Sequence, residues 1–282
     1  MDSIISELIE LNQKGSTLLG VGPMSKNCVD ATIELSNEYN IPIFLIASRR
    51  QIEAKELGGG YSNNWTTESF AQYVKEKDKK KKVILCRDHG GPWQNTFEIT
   101  EKMNFEEAMS TTKKSFSADI KSGFKFLHID PSENITSSLN NNKIFETIFD
   151  LYEFCLNEAK RKNKEIELEI SVGKDSDPAQ NISEIENNLL TIEKFCLNNG
   201  FKKPFFSAIR IGTHVKERKN IGKFNENCQS QLIKKEMNKI IRICNSKKIM
   251  MKHHNTDYLS DIALKMHTKL GIHGANVAPE FG

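Results

Sequence analysis

Short apolar runs rich in β-branched and aromatic residues alternate along the chain with longer segments whose apolar positions recur every three to four residues. A run apolar at nearly every position fits a strand buried on both faces, and the helical period fits a crossover packed against it. Eight runs predict strands: Thr17–Val21, Ile41–Ser48, Val83–Asp88, Phe124–Asp130, Ile166–Val172, Phe206–Thr213, Ile249–His254 and Gly271–Val277. Between them, helical period covers Lys26–Tyr39, Thr66–Lys77, Phe105–Ser122, Asn142–Lys162, Ser183–Asn198, Gln229–Cys244 and Tyr258–Lys269. Punctuation agrees: Thr66-Thr67-Glu68 offers a hydroxyl cap and an early acid, and Asn199-Gly200 accepts the left-handed conformation that closes a helix. With a leading helix at Asp2–Asn12, the pattern predicts an α/β fold, a (β/α)8 TIM barrel forming a single domain over residues 1–282. A doubly wound open sheet is the alternative, but no GxGxxG turn follows the first run. Gly282 comes directly after the eighth run. The last helix is therefore expected to be truncated or replaced by cover from a neighbour.

Length supports this, because such barrels commonly fill about 250 residues. Apolar residues at 38% and charged residues at 27% describe a globular chain, and no apolar run approaches the roughly 20 residues that cross a bilayer. Acidic residues early in MDSIISELIELNQKG and the lack of a cleavage site argue against a secretory signal, so the expected location is the cytoplasm. The six cysteines form no CxxC pair and are expected as free thiols. Net charge is only +3, and the basic run Lys75–Lys82 has no interleaved aromatics, so it reads as a solvated helix end and nucleic acid is not an expected partner.

Barrel sites form at the carboxy ends of strands, and the unusual polar residues fall there. The third run ends in Asp88-His89-Gly90-Gly91-Pro92, the fourth in His128-Ile129-Asp130, the sixth in Gly212-Thr213-His214, and the seventh in His253-His254-Asn255-Thr256-Asp257. A catalytic zinc site takes about three protein ligands and keeps one position open. His89, His214 and His254 are the candidate ligands of zinc or another divalent metal. Asp88 and His89 would face opposite sides of an ideal strand, so both serve one site only if the strand ends or twists there, which Gly90-Gly91 permits. His128 and Asp130 share a face, either as a hydrogen-bonded core pair or toward substrate. Arg49, Arg50 and Gln51, with Gly59, Gly60 and Tyr61, follow the second run, where guanidinium forks and exposed glycine amides suit phosphate. Gly274 and Asn276 lie at the eighth run, where many barrels hold phosphate.

Taken together, Gly59-Gly60-Tyr61, Asp88-His89-x-Gly91-Pro92, Leu127-His128-Ile129-Asp130 and His254-Asn255-Thr256-Asp257-Tyr258 resemble the GatZ/KbaZ-type subunit of class II D-tagatose-1,6-bisphosphate aldolase. The resemblance runs in order along nearly the whole chain. It implies a TIM barrel related to zinc-dependent class II aldolases and ketose or ketose-phosphate 4-epimerases. It also implies that Asp88 resembles the acid/base aspartate, His89 and His254 metal ligands, and His214 a ligand of the catalytic aldolases. Asp130 and Asp257 complete the candidate catalytic carboxylates, and Asn255 and Thr256 join the candidate substrate contacts. Two segments depart from the family: Ile46-Ala47-Ser48-Arg49-Arg50-Gln51 stands where it carries Glu-Ala-Thr-Ser-Asn-Gln, and Gly173-Lys174-Asp175 where it carries Gly-Thr-Glu. Family members are also longer at the C-terminus.

The expected function is retro-aldol cleavage or C4 epimerisation of a ketose phosphate such as tagatose or fructose phosphate, with the sugar phosphate as partner. The alternative is a non-catalytic accessory subunit that stabilises a catalytic aldolase chain. A sugar-binding module without turnover is a third. A third imidazole, His214, is the feature that separates the enzyme from the accessory subunit, and homo-oligomerisation fits either.

Overall fold

The computed structural model describes residues 3–133, 141–172 and 180–282. The chain opens with α1 (Ser3–Gln13), β1 (Leu18–Val21), α2 (Lys26–Tyr39), β2 (Ile43–Ser48), α3 (Thr67–Lys77) and β3 (Val83–Gly90). It continues with α4 (Thr96–Thr100), α5 (Phe105–Ser122), β4 (Phe126–Ile129), α6 (Asn141–Arg161), β5 (Glu167–Ser171) and α7 (Ile182–Asn199). After β6 (Phe206–Ala208) come a small hairpin of β7 (Val215–Lys216) and β8 (Lys219–Asn220), then α8 (Lys223–Asn227), α9 (Gln231–Lys247), β9 (Met250–His253), α10 (Asp261–Leu270) and β10 (Gly274–Val277). The main sheet is a closed barrel in the order β1-β10-β9-β6-β5-β4-β3-β2, with β1–β10, β10–β9, β9–β6, β5–β4, β4–β3 and β3–β2 paired in parallel. This is the (β/α)8 architecture with its leading helix.

All eight predicted strands are present, several shorter than their apolar runs. The sixth shrinks most, to Phe206–Ala208, because the chain turns at Gly212 (φ 86°) and enters the β7–β8 hairpin. That hairpin, α4 and α8 went unpredicted, since none carries a sustained apolar period. The caps are as expected. Thr66 and Ser69 form a reciprocal capping box at α3, and Gly200 closes α7 at φ 67°.

The chain divides into two compact units, Gly22–Asp175 with Gly282, and Met1–Val21 with Ser176–Phe281. In the first, β2 to β5 alternate side chains between two faces. Phe44 and Phe126 meet edge-on at 5.1 Å, while Arg87 points the other way and grips Asp119 of α5 with two hydrogen bonds of 2.8 and 2.7 Å. In the second, Met237, Ile240 and Cys244 line one face of α9 at helical spacing, in an apolar cluster with Ile249 and Met251 around β9 and Ala263 and Met266 of α10. All six cysteines are free and buried, as expected.

Candidate functional site

In the Gly22–Asp175 unit the chemistry gathers at the ends of β3 and β4. Strand β3 does not stop at Asp88. It runs to Gly90, but its register on β4 shifts between Arg87 and Gly90, and His89 sits at φ 47°. This bulge re-aims one residue without ending the strand, which lets Asp88 and His89 serve the same place. Gly91 is required just beyond, since a Cβ there would lie 2.0 Å from the Asp130 carbonyl oxygen.

The His89 Nδ1 lies 2.6 Å from Asp130 Oδ2, with Asp130 fully buried and also accepting from Gln94 Nε2 at 3.1 Å. A carboxylate at Nδ1 draws the ring proton there and places the lone pair on Nε2. That nitrogen is 3.7 Å from Asp88 Oδ2, and Asp88 Oδ1 is 3.1 Å from Nδ1 of the buried His128, whose Nε2 is 2.7 Å from Ser171 Oγ. Burial is the largest single influence and would raise the Asp130 carboxyl, but the hydrogen bond from His89, the nearby His89 and His128 rings and the bond from Ser132 together hold the group below the usual carboxylate range. For His128 burial opposes the cation, yet Glu169, Asp88 and Asp130 together raise its pKa. Asp130 thus orients His89, whereas Asp88 stands beside the nitrogen that would meet a ligand.

The predicted phosphate arm is built differently. Arg49 is only 1% exposed and donates to Glu53 at 2.7 Å, Glu98 at 2.6 Å, the Gly91 carbonyl at 2.8 Å and Thr112 at 3.1 Å. It is a buried brace for the turn after His89, with four hydrogen bonds to protein oxygens. Gln51 is likewise internal: its oxygen accepts from Ser48 N at 2.9 Å, and its amide nitrogen lies 2.9 Å from Met24 Sδ. The amides of Gly59 and Gly60 donate to the carbonyls of Ala54 and Trp65, so they do not form an anion nest. Gly60 is glycine because a Cβ would sit 2.1 Å from the Gln51 carbonyl. Arg50 does have an exposed head, paired with Glu133 at 3.0 Å. Arg49, Arg50, Gly59, Gly60 and Tyr61 all border a cavity of about 740 Å³, together with Phe97.

In the other unit, His253 and His254 follow one another at the end of β9. His253 faces away from its neighbour's side of the strand: Nδ1 is 3.0 Å from His267 Nε2, and Nε2 is 3.0 Å from Thr213 Oγ1. His267 in turn meets the Ala263 carbonyl at 3.0 Å. Burial depresses the pKa of both His253 and His267, so this is a chain of neutral rings. His254 lies 3.3 Å from the side-chain nitrogen of Asn276. The loop beyond it is held by residues expected to touch substrate. Thr256 donates through N and Oγ1 to the Asn276 carbonyl at 3.2 and 2.7 Å, and Asp257 Oδ1 accepts from the amides of Ala278 and Glu280 at 2.8 and 3.0 Å. Asp257 is therefore an anchor for the chain end, where burial raises its pKa. Asn255 adopts φ 56°, and its carbonyl accepts from Asn220 Nδ2 at 2.9 Å.

His214 opens the β7–β8 hairpin, its amide 3.4 Å from Asn220 Oδ1. Among the described residues it joins no cluster of three candidate metal ligands, whereas His89, His128 and Asp130 form one. Gly274 is packed against the Lys252 side chain. The segment Gly173-Lys174-Asp175 lies outside the described residues. Sequence reasoning passed over Gln94, Ser171, Asn220, Glu169 and Lys252. The last two carried a signal, a charge inside a run that reads as a strand, and both are 2% exposed.

No described helix is long and apolar enough to cross a membrane. No protein-family model matches the chain, and no curated protein matches it. Solved structures do resemble it. A probable tagatose 6 phosphate kinase from Sinorhizobium meliloti superposes at TM-score 0.71 with 16% identity, over 94% of this chain and 65% of that one. The YdjI aldolase from Escherichia coli gives TM-score 0.60 at 14% identity, over 99% and 81% of the two chains. A fructose-bisphosphate aldolase from Campylobacter jejuni gives 0.62 at 14%, over 98% and 74%. At such identities the likeness establishes the fold. The chain spans less than two thirds of the first of these structures.

Proposed function

We propose that this chain is a metal-dependent enzyme of the class II aldolase type, acting on a ketose phosphate by cleavage or epimerisation at C4. The observation that carries the reading is the His89–Asp130 pair. A buried carboxylate 2.6 Å from Nδ1 is the partner that metal-ligating histidines use to fix ring and tautomer, and it turns the Nε2 lone pair toward Asp88. The donors around His89 therefore fit a divalent cation such as zinc, and His254, at the end of β9, is the further ligand proposed from the sequence. Such an ion, when bound, polarises a carbonyl and stabilises negative charge developing on substrate oxygens. Asp88 moves the proton of the C4 hydroxyl, a step worth about 10²–10⁴-fold in rate. His128 holds Asp88 in place, Arg49 and Gln94 brace the turn, and Arg50 supplies an exposed guanidinium for phosphate. Metal analysis of the purified protein tests this. The wild type should retain about one equivalent of divalent metal, and His89→Ala or His254→Ala should lose it. Normal metal content in both variants would sink the proposal. Asp88→Asn should keep the metal and lose turnover of tagatose and fructose phosphates, followed by NMR of the products.

One observation favours the accessory-subunit reading: His214, the expected third imidazole, begins a hairpin outside any three-ligand cluster among the described residues. Metal-free wild-type protein that stabilises a separate aldolase chain would select that reading.

A further inference from the structure

Packing does not explain the β7–β8 hairpin. Val215 is half-buried, Lys216 and Lys219 are exposed, and the one buried residue of its two strands is polar, Asn220 at 5% exposure. The base is nonetheless pinned. Ile221 N donates to the His214 carbonyl at 2.8 Å and Phe224 N to the Gly212 carbonyl at 3.2 Å, and a Cβ on Gly222 would lie 2.0 Å from that Gly212 oxygen. His214 itself is exposed. The element therefore holds one buried carboxamide in a fixed place.

Every hydrogen-bonding position of that carboxamide is filled. Asn220 Nδ2 donates to the Asn255 carbonyl at 2.9 Å and to the Asp257 carbonyl at 3.0 Å, while Oδ1 accepts from the amides of Gly222 at 3.2 Å and His214 at 3.4 Å. Two carbonyls at one end and two N–H groups at the other admit a single orientation of the amide. The Asn220 carbonyl also accepts from Asn225 Nδ2 at 2.9 Å, and Asn225 Oδ1 accepts from Ser260 N at 2.9 Å, so the hairpin side meets the same segment again at the cap of α10.

The loop so held is one that a free chain would leave. Asn255 and Tyr258 both sit in the left-handed region at φ 56°, which side-chain-bearing residues adopt at a cost and keep where neighbours impose it. The two Asn220 donors straddle Thr256, whose own N–H and hydroxyl donate to the Asn276 carbonyl. Moving the loop breaks buried hydrogen bonds.

We propose that Asn220 is a positioning residue for the end of β9: its two donors fix the turn from His254 to Tyr258, and with it the direction in which His254 and Asn255 face a ligand. The hairpin is a clasp, and His214 contributes to it through the main-chain amide. The proposal rests on the reading of His254 as a ligand and deepens it.

Three variants test it. Asn220→Asp keeps the shape and the acceptors but has no N–H for the two carbonyls, and Asn220→Ala removes the carboxamide without adding charge. Met237→Ala, in the apolar cluster around α9, lowers stability away from the loop. In hydrogen exchange of the metal-free protein read by NMR, both Asn220 variants should lose protection at the Thr256 amide by about 10-fold beyond any change at Ile240 and Cys244 of α9. The zinc dissociation constant, measured by competition with a chromophoric chelator, should rise about 10–100-fold in both and stay at the wild-type value in Met237→Ala. Thr256 protection that survives in both variants, or falls no further than at Ile240 and Cys244, overturns the proposal. An equal rise in the Met237→Ala dissociation constant assigns the loss to stability and overturns it too. Zinc affinity unchanged while Thr256 loses protection overturns the positioning role and leaves the metal reading intact. A wild type that binds no zinc, with Thr256 deprotected in the variants, supports the clasp and refutes the metal reading. Should the aspartate variant not fold, the alanine variant decides.

Discussion

The two compact units hold their histidines by opposite means. In Gly22–Asp175, His89 and His128 face the carboxylates of Asp130 and Asp88, and the surrounding negative charge raises the pKa of His128 against the penalty of burial. In the other unit His253, His267 and His273 face rings, carbonyls and amides, and burial depresses all three. Carboxylates keep an imidazole ready to carry charge, while neutral partners keep it uncharged and use its two nitrogens as one donor and one acceptor. The first unit therefore concentrates imidazoles beside carboxylates. The second builds a rigid neutral frame around the strand end that carries His254.

The contrast is broken most severely at Arg87 and Asp119, whose side chains are both 0% exposed. The guanidinium also donates to the carbonyls of Ala47 and Ile52 at 3.0 and 2.7 Å, so it ties β3 to the chain after β2. Asp119→Ala leaves a buried cation without its counter-charge and should cost about 3–5 kcal/mol in urea unfolding. Replacing both members, Arg87→Met with Asp119→Leu, should recover most of that loss. A single variant that costs less than about 1 kcal/mol would show that the charged network is incidental to stability.

Next comes His273, where the neutral frame meets pH. Met251 N donates to its Nδ1 at 3.0 Å, and its Nε2 lies 3.0 Å from Asn245 Oδ1, an arrangement only the neutral ring completes. Burial pushes its pKa down to about 4, from an ordinary value of about 6.5. As pH falls the unfolded chain binds this proton first. The contribution is therefore whole above about pH 6.5 and is lost as pH falls toward the folded value, by up to about 3 kcal/mol. Urea midpoints of wild type and His273→Gln should diverge above that pH and converge in acid. Parallel curves would mean that the ring is not held neutral.

Periodicity made the barrel legible, because eight buried strands and their crossovers cannot bury both faces without writing apolar runs and helical stripes into the chain. Asp88 and His89 were legible for a related reason: packing does not place such residues at a strand end. What the sequence concealed was direction. Arg49 and Arg50 read alike, yet one lies 1% exposed within four protein partners and the other reaches solvent. A guanidinium's use depends on carboxylates brought near by folding, and Glu53, Glu98 and Thr112 are scattered along the chain. Asp130 and Asp257 read as catalytic carboxylates, but burial and hydrogen bonding make one an orienter of His89 and the other an anchor. Glycines after β2 suggested open amides. Gly60 serves a tight crossing of backbone instead, a requirement set by distance and invisible in composition. The β7–β8 hairpin has too few residues and too little alternation for any pattern to register.

The smallest effect sharpens the same point. Arg50 and Glu133 pair at 3.0 Å, but their side chains are 42% and 41% exposed, so water already solvates both charges and salt screens their attraction. Glu133→Ala and Arg50→Ala should each change unfolding stability by less than about 1 kcal/mol. Arg49→Met should cost several times more, since it strands Glu53 and Glu98 in the interior. The two arginines then separate by function as well. Arg50→Ala should weaken binding of a sugar phosphate, with a deficit that shrinks at high salt, while leaving the fold intact. If Arg50→Ala proved as destabilising as Arg49→Met, exposure would not be what divides them, and Arg50 would belong to the frame of the Gly22–Asp175 unit instead of its binding surface.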